Sequence, residues 1–532
     1  MESYARGPSF ALTTKTAPQV FSDTAEKFAD REALVVPHQK IRLTWSQLAE
    51  EVEKTARGLI GLGLAPGDRV GVWATNCAEW IYLQLGCARA GLVLVNVNPA
   101  YRGHELAYVL DRSGMKALLL RGCDSRSNYR QILEEAGTVP RVVYLGEESW
   151  DQMIANGIDI PGFNASCHDV LNMQYTSGTT GSPKGVLLTH HNLLNNGKIV
   201  AHGLRYTQHD RVCSPVPMYH CFGCVIGTMA VISTGATLIL PSPSFNPLAT
   251  MQAIHDERAT SIYGVPTMFI AQLTHPEFSR FDFTSLRTGV MAGAPCPVEV
   301  MNRVVNEMLC PQMTIVYGQT ECSPVITMAG VDDSVERRVS TVGCAAPETE
   351  IKIISPDGAI VGVGEQGEIC GRGYAIMKGY DQDPEATARA VDKDGWLHTG
   401  DLAMMRPDGY FRITGRLKDM IIRGGENIYP REVEEFLYTH PKVADVQVVG
   451  LPDERLGETV AAWIKLKAGE TAGEEEIREF CRGRIAHFKI PQMIRFVDSF
   501  PMTVTGKIQK YLIRQAEIRE RHLEKAASIE TA

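Results

Sequence analysis

Apolar positions along residues 21–160 follow two periods in turn, which predicts alternating helices and strands. Thr44 has the character of an N-cap: Trp45-Ser46-Gln47-Leu48 follow it, apolar spacing continues to Leu59, and Gly61 stands near the stop. Arg69–Trp73 predicts a short strand, Cys77–Ala90 a helix, and Leu92-Val93-Leu94-Val95 a wholly apolar strand. Helix–strand alternation of this kind predicts an α/β fold with a largely parallel sheet. The uncharged run Cys224–Leu240 is broken by Gly227, Ser233-Thr234-Gly235 and Thr237 and is closed by Pro241. It is shorter than the ~20 residues of a membrane span and predicts a buried helix to about Ile232, then a strand over Thr237–Leu240.

Further on, Ser261–Pro266, Gly289–Pro295 and Thr314–Glu321 are strand patterns that run into turns, the arrangement at which open α/β sheets bind ligands. From Glu350 the texture changes to short alternating strands, Ile351–Ile354 and Gly367–Gly373, predicting a β-rich subdomain. Leu417-Lys418-Asp419 marks the expected boundary between domains 1–417 and 418–532. The second of these predicts a compact α+β unit. Its elements are a helix near Arg431, strands Val443–Val449 and Val460–Lys467, a helix Glu474–Arg484, a strand Ile494–Val497 and a charged helix from Gln509. A chain of 532 residues exceeds one ordinary core and requires two or more domains.

Composition narrows the function classes. A hydrophobic fraction of 44% and a charged fraction of 22% are ordinary for a soluble globular protein. A net charge of −9 supplies no basic field for nucleic acid, so an anionic ligand must be met by local donors. The 13 scattered cysteines suit a reducing compartment, and residues 1–20 lack an apolar signal core, so a cytoplasmic location is expected. Cys221 and Cys224 beside His220 have metal-ligand spacing, but no second Cys-x-x-Cys exists to close a zinc site, and buried thiols are the simpler reading.

The densest chemistry lies in Tyr175-Thr176-Ser177-Gly178-Thr179-Thr180-Gly181-Ser182-Pro183-Lys184-Gly185. Apolar residues flank it on both sides, so it reads as a tight connection between two buried strands. Glycines let backbone N–H groups approach an anion, and hydroxyls and a lysine add donors for a polyphosphate. A Walker loop needs Gly-Lys followed directly by Ser or Thr; here the lysine stands three residues beyond Gly181. A polar, glycine-rich turn is the alternative for the loop taken alone.

The whole eleven-residue string resembles the signature of the adenylate-forming (ANL) superfamily, and the remaining motifs of that superfamily follow in order over roughly residues 20–515. The chain is most similar to its acyl-CoA synthetases, of the medium-chain fatty-acyl type. The resemblance implies a large N-terminal domain of stacked, mostly parallel α/β sheets with a β-rich subdomain, and a small mobile C-terminal α+β domain. It implies that Thr176, Ser177, Gly178, Thr179, Thr180 and Lys184 hold the phosphates of ATP. Tyr317-Gly318 would face adenine, Thr320 the α-phosphate, and Glu321 would offer a hard oxygen to Mg²⁺. Gly293-Ala294-Pro295 would form the backbone wall against adenine. Asp401 would accept the ribose hydroxyls with Arg416 nearby, a surface aspartate being the blander alternative.

The same resemblance makes Lys418 a hinge, where many CoA ligases carry aspartate, and assigns Arg423, Gly424 and Gly425 to the coenzyme A channel. His220, Cys221, Phe222, Gly264, Val265 and Gly293 would wall the acyl pocket, with His220 bordering the reacting carboxylate. On its own stretch His220 reads more simply as a satisfied core histidine. Lys507, otherwise an ordinary solvated lysine, would become the group between carboxylate and α-phosphate. The expected partners are a small carboxylic acid, ATP and coenzyme A, with neither nucleic acid nor an integral membrane segment; a homodimer is compatible. Aryl or branched acids, or delivery of the acyl group to a carrier protein, are the alternatives. An oxidative luciferase-like use of the adenylate is a further one. A non-catalytic sensor should have lost Lys507, Glu321 or Lys184, and all three are present.

Overall fold

The computed structural model describes the chain except residues 126, 138, 177–182, 295, 424–425, 454, 504–507 and 524–532 and the side chain of Asn427. By compactness it divides into two units: Ala5–Ile351 with Cys370–His398, and Met1–Tyr4 with Lys352–Ile369 and Thr399–Ala532.

Two sheets build the larger unit. In the first, Lys184–Thr189, Val170–Thr176, Val93–Asn96, Arg69–Trp73, Ala117–Leu120 and Val142–Tyr144 lie side by side, with Gly379–Tyr380 at the edge. From Val170–Thr176 onward the pairing is parallel. In the second, the parallel run is Gln312–Tyr317, Thr288–Met291, Ser261–Gly264, Arg211–Cys213, Thr237–Ile239 and Glu32–Val36. Both sheets are α/β, as the alternating periods require.

One continuous apolar core joins the sheets: Val70, Val72 and Leu94 of the first share it with Leu34, Val212 and Val290 of the second. Helices Trp45–Gly61 and Ala78–Arg89 contribute to that core. Thr44 caps the former through a reciprocal pair, its Oγ1 accepting from Gln47 N–H at 3.3 Å while Gln47 Oε1 accepts from Thr44 N–H at 2.9 Å. Ala78–Arg89 is buried nearly all round, which is why its sequence carries little polar stripe. Strand Val93–Asn96 begins one residue later than the apolar run suggests.

In the smaller unit, Glu426–Ile428, Ile421–Arg423, Gly457–Leu466 and Val443–Asp453 form an antiparallel sheet, and Met493–Phe496 joins Gly457–Leu466 in parallel. Residues of helices Pro430–Leu437 and Glu474–Cys481 pack into one apolar cluster with this sheet. The latter helix stops short of Arg484, because Arg482 leaves helical geometry and Gly483 is left-handed at φ 69°. Lys510–Glu520 contributes Ile513 to a second cluster of the sheet.

His190, which opens helix His190–Gly203, is buried, and its Nδ1 accepts the Ala17 N–H at 3.1 Å. Burial holds its pKa down at about 4. The unfolded imidazole takes a proton near pH 6.5 that the folded one refuses, so stability falls as pH drops from 6.5 to 4 and this contribution levels off below. At ~1.4 kcal/mol per unit the loss is roughly 3 kcal/mol. Urea midpoints at pH 7 and 4.5 should therefore lie closer together in His190→Asn than in the native chain.

Candidate active site

The glycine-rich loop spans a hairpin. Val170–Thr176 and Lys184–Thr189 pair antiparallel, with Thr176 opposite Lys184, Tyr175 opposite Gly185 and Gln174 opposite Val186. The two ends of the loop are thereby fixed in register, as the flanking apolar runs require. Ser177, Gly178, Thr179 and Thr180 lie outside the described residues. Lys184, paired opposite Thr176, has its Nζ 5.0 Å from the centre of the Tyr380 ring, a distance at which the ring face attracts the ammonium.

Tyr380 links this lysine to the next motif. Its hydroxyl donates to Glu321 Oε1 at 2.8 Å, and burial followed by the Glu321 charge pushes the phenol far above its ordinary range. The proton therefore stays on Tyr380 at any working pH, and the bond keeps its direction. Asp381 N–H donates to the Gly185 carbonyl at 2.7 Å, and Met377 N–H to the Glu321 carbonyl at 2.9 Å. The Asp381 carboxylate is clamped by Arg69 at 2.8 and 2.6 Å. Residues 377–381 thus tie the hairpin to the Glu321 turn, and nothing in the local sequence pattern singles them out.

Glu321 and Thr320 sit in a one-turn helix, Thr320–Cys322, after strand Gln312–Tyr317. Gly318, between them, has φ 156°, and a Cβ there would stand 1.8 Å from the Pro324 carbonyl oxygen. Only glycine lets the chain turn there, with Tyr317 on one side and Thr320 on the other. Thr320 is buried, and its Oγ1 lies 3.8 Å from Cys221 Sγ.

That contact leads to the predicted pocket wall. His220 Nδ1 accepts the Phe222 N–H at 3.1 Å, so the neutral ring carries its proton on Nε2, a donor suited to a carboxylate. Cys221 and Phe222 are buried, and the Phe222 ring lies 5.7 Å from that of Tyr263, which precedes Gly264. A Cβ on Gly264 would meet the Phe269 ring at 2.9 Å. Gly293 is left-handed at φ 87°, and a Cβ there would be 3.2 Å from Val265 Cγ1, so these two predicted wall residues adjoin. Gly293 and Ala294 are exposed after strand Thr288–Met291; Pro295 lies outside the described residues.

In the other unit, Asp401 and Arg416 face each other across an antiparallel pair, and Arg416 Nε donates to Asp401 Oδ1 at 2.9 Å. The carboxylate is buried while the guanidinium is half-exposed. Gly400, at φ 71°, turns the chain just before it. Lys418 is exposed in the turn Leu417–Asp419. Arg423 donates to the Phe488 carbonyl at 3.0 Å. Gly424, Gly425 and Lys507 lie outside the described residues; Met502 and Ile508, on either side of the last, bridge antiparallel.

A lysine at a glycine-rich hairpin, an oriented carboxylate and a buried hydroxyl in one unit can meet a triphosphate. The wall from His220 to Gly293 can meet an apolar acid. Residues 21–381 match the AMP-binding enzyme family, and residues 432–507 match its C-terminal domain. YngI of Bacillus subtilis (strain 168) is 46% identical over 95% of this chain and 98% of its own. The human medium-chain acyl-CoA ligase ACSF2, mitochondrial, is 44% identical over 96% of this chain and 89% of its own. Among solved structures, ATP-bound MatB from Rhodopseudomonas palustris superposes with a TM-score of 0.84 at 28% identity, covering 94% of this chain and 99% of that one. The chain belongs to the AMP-binding, adenylate-forming enzymes, among their acyl-CoA synthetases.

Proposed function

We propose that the enzyme activates a medium-chain fatty acid with ATP and transfers it to coenzyme A through an acyl-adenylate. The observation that carries the site is the chain of contacts Lys184–Tyr380–Glu321 beside Thr320, Cys221 and His220. In the first step a carboxylate oxygen attacks the α-phosphorus, the bond to the bridging oxygen breaks, and pyrophosphate leaves. Two anions must meet, so catalysis is positioning and charge compensation. Lys184 with the loop residues 177–180 holds the β- and γ-phosphates, and Thr320 offers its hydroxyl to the α-phosphate. His220 Nε2–H orients the acid. Lys507 stands between carboxylate and α-phosphate, where negative charge builds.

Glu321 fits a magnesium ion: it is a carboxylate with Oε1 fixed by Tyr380 and, among the described residues, no partner on Oε2. Such oxygen ligands suit the ion, which when bound neutralises phosphate charge. Tyr317 and Gly293-Ala294-Pro295 flank adenine, and Asp401 takes the ribose hydroxyls with Arg416 holding its other side. In the second step the small domain, bounded at 417/418, turns about Lys418, and Arg423, Gly424 and Gly425 line the path of the thiol. The thiolate attacks the acyl carbon, the carbon–oxygen bond to phosphate breaks, and AMP leaves.

Support for an apolar acid is the wall itself: Cys221, Phe222 and Val265 are buried and apolar, and an amino acid's ammonium would need a buried acidic partner. Among the described residues no helix is long and apolar enough to cross a membrane. A cytoplasmic location, resting on cysteine usage, and a homodimer belong to the same proposal. Pyrophosphate release with straight-chain, branched and aromatic acids, with and without coenzyme A, tests the reading. Turnover that requires coenzyme A and peaks at medium chains is the expected outcome. A maximum with aromatic acids, or release that coenzyme A does not accelerate, would point to an aryl substrate or another acceptor.

A further inference from the structure

The helix behind the His220–Phe222 wall is not an α-helix. Phe222–Met229 is an eight-residue π-helix, followed by a short α-helix, Ala230–Thr234. Such helices are rare and usually confined to single-turn bulges, many of them at functional sites. The chain enters it through Gly223, where a Cβ would stand 2.4 Å from the Pro217 carbonyl oxygen.

Buried side chains from three other elements hold carbonyls here, two of them within the helix and one, Tyr219, in the turn that leads into it. Asn96, ending strand Val93–Asn96, donates through Nδ2 to the Tyr219 carbonyl at 2.9 Å. Gln84, on helix Ala78–Arg89, donates through Nε2 to the Cys224 carbonyl at 2.8 Å. Tyr263, on strand Ser261–Gly264, donates its hydroxyl to the Ile226 carbonyl at 3.2 Å. Asn96 also approaches Cys224 Sγ at 3.6 Å, where Gln174 joins it at 3.4 Å. Gln174 donates to Asn172, and Asn172 to Asn96, both at 2.8 Å. This ladder of amides therefore runs from the strand that enters the phosphate loop to the wall of the acyl site.

All three donors are buried, so each bond is made where an unmade one is costly. Slipping by one residue into α-helical bonding would turn the side chains beyond Phe222 by roughly 100° about the axis. It would thereby rebuild the wall that an acyl chain meets.

We propose that Gln84, Asn96 and Tyr263 are positioning residues that hold helix Phe222–Met229 in its wide form and so set the acyl chain length accepted. This rests on reading His220–Phe222 as the wall of the acyl site. The test uses the full chain carrying Gln84→Met with Tyr263→Phe. Among the described residues Gln84 Oε1 has no partner, so methionine removes one donor and one unsatisfied acceptor together. The Tyr206 hydroxyl, which donates to Tyr263, keeps Ser261 Oγ at 2.5 Å.

With butanoate, octanoate and dodecanoate, the ratio of kcat/KM values between acids should change by about tenfold or more, carried by KM for the acid. KM for ATP should be unchanged. Equal losses with every acid, or an unaltered profile in a folded variant, overturn the proposal alone. A native enzyme that adenylates none of these acids overturns the acyl-site reading as well. Should the double variant not fold, Tyr263→Phe, which deletes one oxygen, is measured against the same outcomes.

Discussion

Lys507→Ala is expected to slow acyl-adenylate formation by about a hundred- to a thousandfold, the ~3–4 kcal/mol typical of losing one preorganised charge at a developing anion. A carboxylate approaching a triphosphate raises negative charge in a confined site, where a fixed ammonium stabilises that charge without the free-energy cost of reorganising water around it. The loss should fall on kcat for pyrophosphate release, with KM for ATP little altered. When acyl-AMP is supplied ready-made, transfer to coenzyme A should proceed at near the native rate, because Lys507 serves only the first step. Equal slowing of both steps would mean the lysine holds the structure rather than the transition state.

Glu321→Gln carries the second large effect. The substitution keeps an acceptor for the Tyr380 hydroxyl, which lies 2.8 Å away, and removes the charge. Adenylation should fall by roughly a hundredfold or more, in line with the several kcal/mol that a correctly held cation contributes. The apparent magnesium requirement should rise. Tyr380→Phe separates positioning from ligation: it leaves the charge but frees the carboxylate to turn. A loss of about tenfold is expected there, the order of one net hydrogen bond to a charged group. If Tyr380→Phe is as damaging as Glu321→Gln, the tyrosine itself meets the substrate.

The legibility of this chain followed the range of its interactions. The hairpin around the phosphate loop was readable because its signals are adjacent: apolar strands on both sides and glycines between. The cap at Thr44 was readable for the same reason, its partner Gln47 being three residues away. Tyr380 was not, since its partners Lys184 and Glu321 are distant in the chain and an isolated Gly-Tyr pair carries no period.

The π-helix was hidden for a different cause. Phe222–Met229 is buried throughout, so no polar face reports whether its turn holds 3.6 residues or more. Its form depends on Gln84, Asn96 and Tyr263 from elsewhere in the fold. Amide side chains in otherwise apolar strands and helices were the available signal. Such groups are retained in a core only when something there needs their hydrogen bonds.

The chemistry itself is tested most directly by following oxygen. With a fatty acid labelled by ¹⁸O in both carboxylate positions, one labelled oxygen should appear in AMP and the other should stay in the thioester. That outcome requires attack of the carboxylate on the α-phosphorus and later cleavage of the carbon–oxygen bond. Label in inorganic phosphate with formation of ADP, or no label in AMP, would contradict an acyl-adenylate route.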